Sequence, residues 1–228
     1  MTIDHYLILA TIQTILSGLV AFMCLVRFKS RSTVIRLMGF IFLASSVANC
    51  VAYGLVETNV FRKYINMPNV IYMVFSFILF ARVYFLLLKK NSWLFVAVTI
   101  AFISFALVNV LFVQKLTLNS YTSIAYSATI IIYALLYFYF LMRELPTQYV
   151  HKLPMFWFNS GLLFFHAGVF FLFSFTPYLV YVLKNDMIVY YSFHNLLSII
   201  QHLLMIVGAY YDLASLNWRT LGTKKTTL

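Results

Sequence analysis

The side chains with the widest chemical capability lie in the last two apolar stretches of this sequence. In the earlier stretch, Asn159 and His166 are seven residues apart, which places them on one face of a helix. In the later stretch, four polar residues recur on or beside one helical stripe: His194, Ser198, Gln201 and His202. Imidazole titrates near neutral pH and is a common metal ligand, so this group could bind a ligand, sense a proton or hold a metal.

Three interpretations of this polar group stay open. The side chains could form hydrogen bonds between helices, which is an ordinary use of polar groups in membranes. They could line a ligand-binding or proton-sensing site. Alternatively, His166 with His202 or His194 could ligate a haem iron or another metal. The sequence contains no haem-attachment motif, and we predict no resident cofactor.

A second candidate group is an ion pair. Arg82 lies about 10 Å inside one end of its apolar stretch at 1.5 Å per residue, and Asp212 ends the last stretch on the same side. Their matching depths allow the hypothesis of a structural ion pair between Arg82 and Asp212. The alternative is that the Arg82 side chain extends to the cytoplasmic rim of the membrane and Asp212 lies at the surface.

Seven apolar stretches position these residues. A helix needs about 20 apolar residues to cross the hydrocarbon core, where its backbone groups must be satisfied internally. The predicted spans are residues 6–26, 34–56, 70–88, 93–113, 121–142, 154–183 and 188–211. Pro177 is expected to kink the sixth span or end it early. The fold class is therefore an all-α integral membrane protein, with a seven-transmembrane-helix bundle over residues 1–216 and a short polar cytoplasmic tail over residues 217–228.

Charge placement predicts the orientation. Hydrophobic residues make up 64% of the chain and charged residues 9%, and the formal net charge is +11. Eleven Lys and Arg residues lie on one side of the spans and four on the other. The positive-inside rule then places the N-terminus outside and the C-terminus in the cytoplasm. The same rule explains the basic charge, so the partner we expect is the lipid bilayer and not nucleic acid.

The sequence lacks the residues that several classes of enzymes and pumps require. The last span has no lysine for a retinal Schiff base, and no G-x-S-x-G motif is present. No carboxylate lies at mid-span, where a proton-driven pump would usually carry one. We therefore expect a protein that is not an enzyme.

Two segments carry a family resemblance, namely Leu153–Leu163 (LPMFWFNSGLL) and His194–Leu204 (HNLLSIIQHLL). They resemble a family of small, uncharacterised seven-transmembrane-helix proteins of Bacteroidota. Members of that family resemble the membrane input regions of sensor histidine kinases. The resemblance implies a multi-pass protein of the bacterial inner membrane with a role in signal transduction, and it supplies no catalytic residue.

These observations favour a sensory or signal-relay module that binds a small ligand or a proton and acts through a separate cytoplasmic or membrane signalling partner. A small-solute or lipid transporter is the first alternative, and a haem-binding membrane redox protein is the second. A homo-oligomer is compatible with all three.

Overall fold

The computed structural model describes residues 3–58, 67–88, 92–114, 120–144, 149–181 and 187–225. Within these ranges the chain forms helices and turns without β-strands. The seven α-helices are α1 (Ile3–Leu25), α2 (Thr33–Thr58), α3 (Met67–Leu88), α4 (Ser92–Val108), α5 (Ser120–Glu144), α6 (Pro154–Tyr181) and α7 (Met187–Lys225). A π-helical segment, Asn109–Val113, continues α4, and short 3₁₀ turns precede α2 and α6.

All seven helices are long and apolar enough to cross a membrane, by length and composition. This confirms the prediction of seven long apolar helices. Their bounds follow the apolar stretches closely except in α7, which continues past residue 211, the predicted end of its span, and through the predicted tail to Lys225. One difference concerns α6, because the helix continues through Pro177 to Tyr181 and does not end at the proline. Prolines are tolerated in membrane helices where neighbouring groups satisfy the carbonyl that loses its donor.

Six helices form a closed ring. Helix α7 packs against α6 and α1, and the ring continues through α2, α3, α5 and back to α6. Helix α4 lies outside this ring, against α3 and to a smaller extent α5. In its apolar window 17% of residues are buried, against 28% to 39% in the other six helices. Most of the α4 surface is therefore left for lipid.

Aromatic side chains fill much of the space inside the ring. Phe77 of α3 stacks on Phe102 of α4 with ring centroids 3.9 Å apart. Tyr84 and Tyr133 lie side by side at 5.1 Å. Ring pairs of this kind add about 0.5–1.5 kcal/mol beyond the burial of their area.

Small residues bring α6 and α7 together. A Cβ atom added at Gly208 would lie 2.9 Å from the carbonyl oxygen of Pro154, and one at Gly161 would lie 3.0 Å from the carbonyl oxygen of Gln201. Neither position accepts a larger side chain unless the helices separate. Glycine at helix contacts is the usual device for close packing in membranes, where water does not drive association.

Candidate functional site

Among the described residues, Arg31 and Asp212 form a salt bridge. The Arg31 Nη1 atom donates to the Asp212 carboxylate, linking the α1–α2 turn to α7. The prediction that Asp212 pairs with Arg82 is therefore wrong, because Asp212 pairs with Arg31. Arg82 is exposed, and its guanidinium lies 5.1 Å from the centroid of the Phe85 ring. Arg82 lies on the side of α3 that meets α4.

The α1–α2 turn is shaped around the buried Arg31, which is 4% exposed. Arg27 adopts a left-handed conformation with φ 57°, which ends α1 and reverses the chain. Arg31 then donates from Nε to the Val26 carbonyl at 3.1 Å and from Nη2 to the Met23 carbonyl. The last carbonyls of a helix lack helical partners and carry its negative end. Arg31 thus caps α1 and pairs with α7 at the same time.

A cavity of about 350 Å³ lies beside this ion pair. Its polar lining comes from Ser32, Tyr137, Glu144 and Asp212. Its apolar lining comes from the adjoining ends of α2, α3, α5 and α6, and includes Met155. We call this end of the bundle, with the Val26–Ser32 turn and residues Glu144 and Pro154, the basic end. The volume falls within the range of small-molecule sites, roughly 300–1,000 Å³.

The cavity at the basic end contains two carboxylates, although acidic residues are rare in this chain. The whole sequence has five Asp and Glu residues, and Glu144 and Asp212 are two of them. Asp212 serves both the cavity and the ion pair. A molecule that enters the cavity would therefore meet a group that holds two parts of the bundle together.

The predicted polar residues of α6 contact α3 and α5. The Asn159 Oδ1 atom accepts a hydrogen bond from the Tyr84 hydroxyl at 2.7 Å, and Nδ2 donates to the carbonyl of Met155. His166 is buried, with Nδ1 at 3.2 Å from the Ser127 hydroxyl of α5. Its ring meets Tyr126 edge to face. These contacts support the interpretation that these two residues bond helices to one another.

The predicted polar residues of α7 diverge toward three different neighbours. His194 contacts two phenylalanines of α6, Phe165 and Phe173. Ser198 donates to Oε1 of Gln13 in α1 at 2.9 Å. His202 meets the ring of Phe42 in α2, and Gln201 is buried beside it in sequence.

His202 has a defined tautomer. Its Nδ1 atom lies 2.6 Å from the Ser198 carbonyl oxygen, which can only accept, so Nδ1 carries the proton. The Nε2 atom is then a lone-pair acceptor, and it is buried without a hydrogen-bond partner among the described residues. Among the six predicted residues, His202 has the one side-chain polar atom that is both fully buried and without a hydrogen-bond partner in the described part of the chain.

The three histidines of the predicted group have different neighbours. His166 contacts α5 through Ser127, whereas His202 contacts α2 through Phe42. His166 and His194 share Phe165 as a ring neighbour. In the part of the chain that the structure describes, no group of three or more His, Cys, Asp or Glu side chains could hold a metal ion. We derive no chemistry through haem or a metal.

Reasoning from the sequence missed the role of Arg31. The positive-inside rule alone explains a cation at the border of a span, so this position does not by itself indicate a structural role for Arg31. A usable signal is the Ser32-Thr33 pair that follows it. The Ser32 hydroxyl accepts from the Ile35 backbone N–H at 3.3 Å and caps α2, so Arg31 is held in a tight turn.

The fold and the charges define a class, a multi-pass helical membrane protein with a basic end and a cavity at that end. Comparison of the chain with protein-family models, with curated proteins and with solved structures found no match. The resemblance to Bacteroidota seven-span proteins therefore stays an expectation, and the function is argued from the site.

Proposed function

We propose that this protein is a sensory or signal-relay module of the bacterial inner membrane. A small molecule binds in the cavity at the basic end, and its presence is transmitted to a separate partner protein through α7. The observation that carries the proposal is the double role of Asp212, which lines the cavity and pairs with Arg31.

The cavity supports a receptor better than a transporter. Its lining residues come from the start of α2 and α6, the ends of α3 and α5, and Asp212, so they share one end of the bundle. A transporter needs polar groups that lead a solute across the whole membrane. Here the mid-membrane polar side chains Asn159, His166 and Ser198 are bonded to other helices.

Helix α7 supplies a path for the signal. It runs unbroken from Met187 to Lys225, so about 20 Å of helix follow Asp212 at 1.5 Å per residue. A ligand can shift a conformational equilibrium only by contacting the two states differently. A molecule that competes for Asp212 meets this requirement, because it weakens the link between α7 and the α1–α2 turn.

The orientation belongs to the same proposal. The basic end faces the cytoplasm, since eleven Lys and Arg residues border the spans on that side and four on the other. A partner reading the state of α7 would then be cytoplasmic or would contact the inner face of the membrane.

The proposal is tested by native mass spectrometry of gently purified protein, with Met155→Trp as a variant that fills the cavity. Ile132→Trp is the matched control, because Ile132 is 56% exposed on the α5 surface and lies outside the cavity lining. We expect a bound small molecule on the native chain and on Ile132→Trp, and its loss from Met155→Trp. Equal occupancy in both variants would place the ligand elsewhere, and His202→Phe then tests the unused Nε2 acceptor.

A second measurement follows the relay itself. Spin labels at Lys29 and Tyr210, both exposed, report the distance between the α1–α2 turn and α7 once Cys24 and Cys50 are replaced. Addition of the ligand and the substitution Asp212→Asn should shift the distance distribution in the same direction. An unchanged distribution under both conditions would refute the relay.

A further inference from the structure

A second cavity, of about 270 Å³, lies between α3 and α4 on the outside of the ring. Ile78 and Phe85 of α3 and Val96 and Ile100 of α4 give it apolar walls. Because α4 is the least buried of the seven helices, this groove faces lipid. An apolar groove in this position contacts the acyl chains of lipids.

One cation interrupts the apolar lining. Arg82 is exposed in the groove, about 9 Å before the end of α3 at 1.5 Å per residue. Among the described residues, no carboxylate lies within ion-pair distance of Arg82, and Asp212 pairs with Arg31. A charged side chain at this depth is costly without a counter-charge. Its long stem lets the guanidinium reach toward the headgroups, where anions are found.

We propose that this groove is a binding site for one anionic phospholipid. An acyl chain lies between α3 and α4, and the lipid phosphate accepts hydrogen bonds from the Arg82 guanidinium. Ser92, an exposed hydroxyl that lines the same groove at the start of α4, provides a second donor. Guanidinium suits this role because its fork of N–H donors matches phosphate oxygens.

The selectivity of the site follows from what surrounds Arg82. The groove lining contains no acidic side chain that would pair with the ammonium of a zwitterionic headgroup. A lipid with net negative charge keeps its full attraction to the arginine, whereas a zwitterionic lipid brings its own cation near it. The site therefore distinguishes phosphatidylglycerol from phosphatidylcholine.

Arg36 provides a matched control for the charge. Its guanidinium lies 5.0 Å from the Phe28 ring centroid, as Arg82 lies 5.1 Å from that of Phe85. Arg36 does not line the groove. Arg82→Gln and Arg36→Gln thus remove the same charge and a similar ring contact.

The test is a titration of detergent-purified protein with each lipid, followed by native mass spectrometry. For phosphatidylglycerol, Arg82→Gln should weaken binding of the first lipid roughly five- to tenfold, the effect of about one charge near a membrane surface. Arg36→Gln should change it less than twofold, and phosphatidylcholine binding should respond to neither variant. Equal losses in the two variants would overturn the proposal and indicate general surface attraction.

A groove-filling variant keeps the proposal testable if Arg82→Gln folds poorly. Val96→Trp places a large ring in the acyl path and leaves the arginine in place, at a position that is 55% exposed. It should also lose the selective first phosphatidylglycerol. Retention of that lipid by Val96→Trp, with an unchanged circular dichroism spectrum, would show that the lipid does not lie in this groove.

Discussion

Replacement of Arg31 by methionine should be one of the most damaging single changes at the basic end. It removes the partner of Asp212 and the donors to the carbonyls of Met23 and Val26. Breaking a buried ion pair by removing one partner costs about 3–5 kcal/mol. Since the Asp212 side chain is 16% exposed and can recruit water, we expect a loss near the lower limit, about 3 kcal/mol.

Substitution of the other partner, Asp212→Asn, should cost less. Asp212→Asn keeps an oxygen that can accept from Arg31, and Arg31 keeps its two backbone acceptors. Loss of the charge from one hydrogen bond then costs about 1.5–3 kcal/mol. Because the two substitutions act on the same contact between Arg31 and Asp212, the double variant should lose clearly less than the sum of the single losses.

Equilibrium unfolding in mixed micelles of increasing dodecyl sulfate content measures these free energies. Lys29→Met is the control, because it removes a charge from an exposed position in the same turn and should stay within about 0.5 kcal/mol of the native protein. If Arg31→Met matches Lys29→Met, or if the double variant is strictly additive, the buried link between the turn and α7 does not exist.

Three further predictions use matched or simple substitutions in the bundle, all measured by the same unfolding assay. Tyr84→Phe should cost about 0.6–2 kcal/mol because it removes a hydroxyl that donates to α6. Tyr133→Phe should be neutral or stabilising because that buried hydroxyl has no hydrogen-bond partner among the described residues. Gly208→Ala should cost about 1–3 kcal/mol because the new methyl meets the backbone of α6, whereas Gly54→Ala has nothing within 4 Å and should be tolerated. His202→Phe should change stability by less than about 1 kcal/mol. It retains a ring in the same place, and removal of the buried Nε2 acceptor, which has no hydrogen-bond partner among the described residues, offsets the loss of the Nδ1 donor to the Ser198 carbonyl.

The spans were predictable because every backbone N–H and C=O group in hydrocarbon must form a hydrogen bond within the protein. An apolar run of the right length has almost no alternative to a helix in that solvent. The position of α4 outside the ring was harder to predict, although its mean hydropathy of 2.6 is the highest of the seven spans. A helix that buries few residues tolerates apolar side chains on all sides, and this is the signal that composition gives.

The partners of the polar residues depend on which helices are neighbours, and spacing alone does not determine this. The residues of the α7 stripe contact three different helices, α1, α2 and α6. Ser198 therefore finds Gln13 in α1, while His202, one turn later, meets Phe42 in α2. Arg31 shows the same limit, because its acceptors come from α1 and α7, which are far apart in sequence.

The π-helical segment at the end of α4 has a consequence for the evolution of the chain length. The Gln114 backbone N–H bonds the Asn109 carbonyl at 2.8 Å, five residues back, where an α-helix would bond four residues back. The segment thus contains one residue more than a regular helix needs. Leu111, Phe112 and Val113 are all exposed, so none of them is required by the core. Deletion of one of these residues would convert the segment to ordinary α-helix and leave Asn109 bonded to the same backbone N–H. This tip is therefore a place where the gene can lose a codon while the remainder of the bundle keeps its register.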